Sequence, residues 1–252
     1  MRYLIIGAAG HAQEVAWSLR EQCARRGEAC ELVFFDDALP PGAVASRLGE
    51  IAGGLDRVAA FADGETALVL GVGLPRGKRA VVRRLEHLRL RWTTVIHPGA
   101  TIGPNVDVGE GSYVAAGAIL TVNTSIGRFA TVNTHCAVAH DAVVGDFATL
   151  HPAAHVAGGV AIGEGCELGS GSVVIQGVTI GAWAVLGASC TAVTSLAGGT
   201  VYVGTPARML RPVASDHLDG ATTPHRHAAP RRAEAACLAA AVSVRRQPRR
   251  AR

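Results

Sequence analysis

Residues 126–168 read IGRFAT-VNTHCA-VAHDAV-VGDFAT-LHPAAH-VAGGVA-IGEGCE-L, with one large aliphatic residue at the head of every hexad. The same phase runs without a slip from Ile96 to Leu186, sixteen positions in all. An α-helix repeats its apolar residues near every 3.6 positions and a strand every 2, so neither explains a period of six. A coil in which each hexapeptide forms one side of a triangle does. Three hexads close an 18-residue coil, so sixteen give a little over five coils. The predicted fold is a left-handed parallel β-helix over residues 95–190, an exception to the right-handed crossover rule.

Other positions of the hexad agree. Four residues after each aliphatic comes a small one, including Ala100, Ser112, Thr124, Cys136, Ala148, Cys166, Ala184 and Cys190, expected to fill the narrowing corners. Glycine follows the aliphatic residue at 103, 109, 127, 145, 163, 169, 181 and 187, where it is expected to relieve the turn. The register is expected to fail at Ala192, with Val201–Arg208 closing the stack.

Upstream the rhythm differs. Tyr3–Ile6, Leu32–Phe35 and Ala67–Leu70 read as strands, with helices from Ala12 to about Cys23 and through Lys78–Leu88. Strand, turn and helix in alternation predict a small Rossmann-like α/β domain with ligand groups at the strands' carboxyl ends. The expected organisation is mixed: residues 1–92 as a Rossmann-like ligand-binding domain, 93–211 as the β-helix, and 212–252 as a disordered basic tail.

Composition limits the alternatives. Hydrophobic residues make up 49% and charged residues 17%, so most of the chain should fold, while aromatics at 4% predict a core of small and branched side chains. Eight arginines against three acids give residues 212–252 a charge of +5, which leaves residues 1–211 at −1. The folded part is therefore not built to bind polyanions such as nucleic acid. The six cysteines show neither a CxxC pair nor a metal spacing and read as small buried thiols, which fits a cytoplasmic protein. No signal peptide and no stretch of about 20 apolar residues is visible, so no membrane partner is expected.

The opening Ile5-Ile6-Gly7-Ala8-Ala9-Gly10-His11-Ala12, the strand end Phe34-Phe35-Asp36-Asp37, the hexapeptide array with Ala139-His140-Asp141, and the closing Val203-Gly204-Thr205-Pro206-Ala207-Arg208 together resemble one family. It is that of the sialic-acid O-acetyltransferases and the UDP-4-amino-sugar N-acetyltransferases of bacillosamine synthesis. The resemblance covers about residues 1–211. It implies a homotrimer, no resident cofactor, acetyl-CoA as co-substrate, and a sugar or UDP-sugar as acceptor.

Within that frame His140 is the leading catalytic candidate. It lies two positions past Val138, at a corner, and its neighbour 18 residues on is Gly158, which should leave open space above the imidazole. Acyl transfer from a thioester needs a base for the acceptor's proton and a donor for the oxyanion. The resemblance makes His140 the base and Asp141 its orienting carboxylate, although the family more often places Glu there. It points to Thr149, His151 and Gly158 for acetyl-CoA, with Thr149 standing where the bacillosamine enzyme has a second histidine. His155 flanks the same segment, and His97 and His135 read as structural or exposed. Gly7, Gly10 and His11 form a turn suited to a pyrophosphate at a helix start. Asp36 and Asp37 end the next strand, and Gly71 and Gly73 form a third wall. The alternatives are acetylation of a sugar hydroxyl, a non-catalytic β-helix, and an NAD-binding reductase. Against the last, Gly7-x-x-Gly10 lacks the central glycine of GxGxxG.

Overall fold

A computed structural model of the chain describes residues 1–46 and 48–213, which lie within one compact unit. The expected basic tail falls outside the described residues beyond Val213.

The amino-terminal part is a five-stranded sheet. Strands β1 (Arg2–Ile6), β2 (Glu31–Phe35), β3 (Val44–Ser46), β4 (Gly49–Gly53) and β5 (Thr66–Leu70) lie in the order β3-β4-β2-β1-β5. All neighbours run parallel except β3 with β4. β3 and β4 were not legible, because GEIAG carries two glycines and no apolar run. Helix α1 (Gly10–Arg26) buries Ala12, Val15, Ala16, Leu19 and Cys23, an i, i+3, i+4 stripe, and ends on Gly27 at φ 69°. Helix α2 (Pro75–Leu85) starts earlier than expected, with proline in its first turn, where the missing N–H costs nothing.

From Val95 every hexad contributes a two-residue strand, and strands 18 residues apart pair in parallel: Thr131 with Thr149, Ala137 with His155, Val143 with Ala161. The result is three sheets around one core, the left-handed parallel β-helix the period requires. The inward residues from Val114 to Leu186 are at most 3% exposed. Each such side chain contributes roughly 1.5–3 kcal/mol by leaving water. Ile102, on the first coil, is 39% exposed because no coil lies beneath it. The register outlasts the aliphatic run: Thr191–Ala192 is still a strand on Val173–Val174, with Ala192 fully buried. The closing strand Thr200–Val203 stacks on Val185–Leu186, and Arg208–Pro212 returns antiparallel.

The glycines after the inward residues have a different cause from the one expected. Their φ values are not positive. A Cβ on Gly145 would instead lie 2.6 Å from the Glu164 backbone nitrogen of the next coil. Close stacking excludes the side chain there. The left-handed corner falls two residues later in each hexad, at Asn105, Gly111, Gly117, Asn123, Phe129, His135, Asp141 and onward to Ser189.

The two parts share a packed seam. Tyr113 on the face built by residues 95, 113, 131, 149 and 167 enters the core of α1 and hydrogen-bonds Ser18 at 3.0 Å. Phe129 and Phe147 stack at 5.2 Å along the adjoining corner, and Trp92 meets Phe129 edge-on. Arg79 of α2 lies over Trp183 at 4.3 Å.

Candidate active site

His140 stands on the corner that follows the strand Ala137–Val138 and precedes Val143–Val144. Its Nδ1 is 2.8 Å from Asp141 Oδ2. Both side chains are more than half exposed, at 64% and 58%. Asp141 adopts φ 60°, a conformation that Asp and Asn tolerate through local hydrogen bonding. Its carboxyl is held below the usual range, first by the hydrogen bond with His140 and then by one from Asn123. With Nδ1 engaged on the carboxylate, Nε2 is the nitrogen left for an acceptor. A Cβ on Gly158 would lie 2.6 Å from His140 Cε1 and Nε2. The space above the imidazole is thus not open, as expected, but filled by the ring itself. Gly158 is what lets the ring lie there.

The expected donor residues divide. Thr149 is 2% exposed and its hydroxyl donates to the Gly73 carbonyl at 2.7 Å, so it is a seam contact and does not face a donor in this chain. The loop that leads into α2 covers this face. His151 Nε2 is 2.9 Å from Glu167 Oε1, both partly exposed. His155 is exposed on another face. His135 is exposed as well, and His97 Nδ1 accepts from Gly99 N with the ring against Trp17.

Lys78, the only lysine in the chain, is 1% exposed. Its ammonium donates to Thr131 Oγ1 at 3.3 Å and to the Ala148 carbonyl at 3.0 Å. Burial pushes it well below the usual lysine range, against the attraction of Glu167. No sequence signal short of the fold could have found a contact spanning 53 residues.

At the amino-terminal turn, Gly7 has φ 103° and donates to Phe35 O, while Gly71 could not carry a Cβ, which would strike Ala12 at 2.7 Å. Gly10 has open space around its missing Cβ. Helix α1 begins there with no side-chain cap and no acidic residue in its first turn, so its positive end is not neutralised. Asp36 already accepts from Ala8 N at 2.9 Å and Ala38 N at 2.8 Å. Asp37 accepts from Leu55 N and pairs with Arg84. Both carboxylates therefore shape the turn. His11 packs on Gly73 and, edge-on, on Tyr113.

The structure brings Gly7, Gly10, His11, Gly71 and Gly73 together beside the face that carries Tyr113 and Thr149. It places His140 and Asp141 on the corner between the other two faces. Within one chain these two groups do not meet.

An α/β unit docked on a hexapeptide β-helix with an exposed His–Asp pair defines a class, the hexapeptide acyltransferases. The family model for bacterial transferase hexapeptide (six repeats) matches residues 141–176. Perosamine N-acetyltransferase from Caulobacter crescentus, solved with CoA and GDP-perosamine, is 32% identical with a TM-score of 0.75, over 83% of this chain and 97% of that one. The acetyltransferase domain of PglB from Neisseria gonorrhoeae, in complex with acetyl coenzyme A, is 29% identical, TM-score 0.76, over 83% and 98%. WeeI from Acinetobacter baumannii is 28% identical, TM-score 0.77, over 83% and 100%. No curated protein sequence matches significantly. The chain belongs to the sugar N-acetyltransferases of the hexapeptide-repeat acyltransferase family, and it is an acyltransferase.

Proposed function

We propose that this enzyme transfers the acetyl group of acetyl-CoA to the amino group of a nucleotide-linked sugar, with His140 as the general base. The observation that carries the assignment is the imidazole, anchored through Nδ1 on Asp141, laid over Gly158 and 64% exposed as a side chain. The sugar's amine attacks the thioester carbonyl carbon and Nε2 takes the proton that the nitrogen loses. The tetrahedral oxyanion then collapses, the C–S bond breaks, and the imidazolium returns the proton to the CoA thiolate. Asp141 stabilises the imidazolium without taking its proton.

The nucleotide belongs at the uncapped start of α1, where Gly10 and His11 present backbone N–H groups to a pyrophosphate and Gly7, its own N–H taken by the Phe35 carbonyl, shapes the turn. Gly71 and Gly73 form the opposite wall, and Asp36 and Asp37 fix the turn's shape. The sequence suggested uridine, but the Caulobacter relative was solved with GDP-perosamine, so the proposal is for a nucleoside diphosphate sugar. Functionally the chain divides near residue 92 into an acceptor part and a donor part, with His151 and Gly158 on the donor side. Because the turn and His140 lie on different sides of one prism, the working site is assembled between chains. A homotrimer provides that arrangement, and a cytoplasmic location fits its two substrates. Among the described residues no helix is long and apolar enough to cross a membrane.

The test is His140→Ala, assayed by CoA thiol release with acetyl-CoA and a panel of nucleotide-linked amino sugars. The expected loss in kcat is on the order of 10²–10⁴-fold, with acetyl-CoA affinity by calorimetry nearly unchanged. Wild-type kcat in that variant would reject His140 as the base. Activity only on sugars that lack an amine would reject N-acetylation.

A further inference from the structure

Asn105, Asn123 and Asp141 are 18 residues apart and occupy the same corner on three successive coils. All three have φ between 54° and 60°. Their side chains form a ladder: Asn105 Nδ2 donates to Asn123 Oδ1 at 3.1 Å, and Asn123 Nδ2 donates to Asp141 Oδ1 at 3.2 Å. The ladder ends where Asp141 Oδ2 meets His140 Nδ1 at 2.8 Å. From the third rung, and resting on the reading of His140 as the base, we infer that Asn123 is a positioning residue for the catalytic pair, with Asn105 reinforcing the orientation of its amide.

An ionised carboxylate only accepts hydrogen bonds, and an amide has one accepting and one donating end. Had the Asn123 amide turned over, its oxygen would face the Asp141 carboxylate and repel it. The acceptor-only carboxylate selects Nδ2, and Asn105 reinforces that orientation by donating to Asn123 Oδ1 at the other end. One carboxylate oxygen is then held by the ladder and the other by the imidazole, so rotation of the carboxylate is restrained from both sides. The backbone keeps the rungs in register, since Asn123 N donates to Pro104 O and Asp141 N donates to Val122 O. Above Asp141 the chain turns to Gly158 and Gly159, which carry no side chain, and below it stand Val122 and Asn123. Among the described residues of these coils, His140 is thus the one titratable group on the corner facing Asp141. The exposure of the pair makes this restraint matter, because water would otherwise compete for every carboxylate lone pair.

The experiment uses the full chain. Asn123→Gly removes the amide at a conformation glycine favours, so the fold is retained. It is expected to lower kcat by about 3- to 10-fold while the KM values for donor and acceptor stay put. Asn123→Asp sets a carboxylate against a carboxylate and should lower kcat further. Asn105→Gly should give a smaller loss in the same direction. In a carbon-detected NMR titration the Asp141 carboxyl should titrate at higher pH in Asn123→Gly than in the native chain. In an Asp141→Asn background Asn123→Gly should have no further effect. Native kcat with an unmoved Asp141 titration would overturn the inference, and so would an undiminished loss in the Asp141→Asn background. Full activity of His140→Ala would instead reject the general base, while the Asp141 titration would still report whether the ladder exists.

Discussion

His140 and Asp141 are solvent-exposed in this chain, so the strength of their contact depends on geometry more than on a dry surrounding. A neutral amide at position 141 keeps the shape and loses the charge that stabilises the imidazolium. Asp141→Asn should therefore lower kcat by about 10- to 100-fold, less than His140→Ala, because the base itself survives. Steady-state kinetics of the two variants side by side checks the order, and a larger loss in Asp141→Asn would reverse the roles. The pair was legible in the sequence because the period of six places both residues on a corner before any coordinates exist. The same 18-residue step that found Gly158 above His140 leads down to Asn123 and Asn105. It identifies neighbours but not side-chain direction, so the ladder was within reach and the filled space over Gly158 was not.

At the scale of elements, two glycine classes that look alike in sequence differ in what they tolerate. Gly145→Ala drives a Cβ into the backbone of the next coil and should lower stability by about 2–3 kcal/mol, in the manner of an overpacked core. Gly177 has φ 68° and nothing within 4 Å of its missing Cβ, so Gly177→Asn should change stability by under about 1 kcal/mol. Denaturant unfolding of both variants decides it. Equal losses would mean that φ governs both positions.

Lys78 gives α2 a second kind of attachment. Its folded value is depressed, while in the unfolded chain it titrates near 10.4. The unfolded state thus binds the extra proton between those two values, and stability rises with pH across that window. The cost of burial is present in full below the folded value and disappears above about pH 10.4. The melting temperature of the native chain should climb relative to that of Lys78→Met between pH 7 and pH 10. Parallel curves would place the ammonium in water. The helix itself was legible, with its boundaries shifted. Its anchor was not, since Thr131 and Ala148 on the β-helix become neighbours of residue 78 only once the coils have stacked and α2 has docked on them.

For the whole molecule, the separation of turn and base within one chain is the strongest ground for assembly. Light scattering at micromolar concentration should report three chains, and a monomer would leave the site incomplete. Gly10→Phe fills open space, so the fold should persist. The acceptor's KM should rise at least about tenfold while acetyl-CoA affinity, measured alone by calorimetry, is retained. Tight binding of a nicotinamide dinucleotide with no response to a nucleoside diphosphate would overturn the assignment of that turn. Both halves of the molecule were legible as classes, one from strand–helix alternation and the other from the hexad. The seam between them was not, because Tyr113, Phe129 and Phe147 occupy positions where the hexad accepts almost any outward side chain.

The stacking of identical steps also governs how the gene encoding this chain can change length. Each hexad advances the chain by one third of a revolution, and 18 residues return it to the same azimuth one storey higher, about 4.8 Å along the axis. Loss of residues 116–121 would swing His140 onto a neighbouring edge as seen from the amino-terminal sheet. Loss of residues 116–133 would keep its bearing and lower it by a single storey. Insertions and deletions in the repeat are therefore quantised: whole revolutions shift the chemistry along the axle, and any fraction points it in the wrong direction.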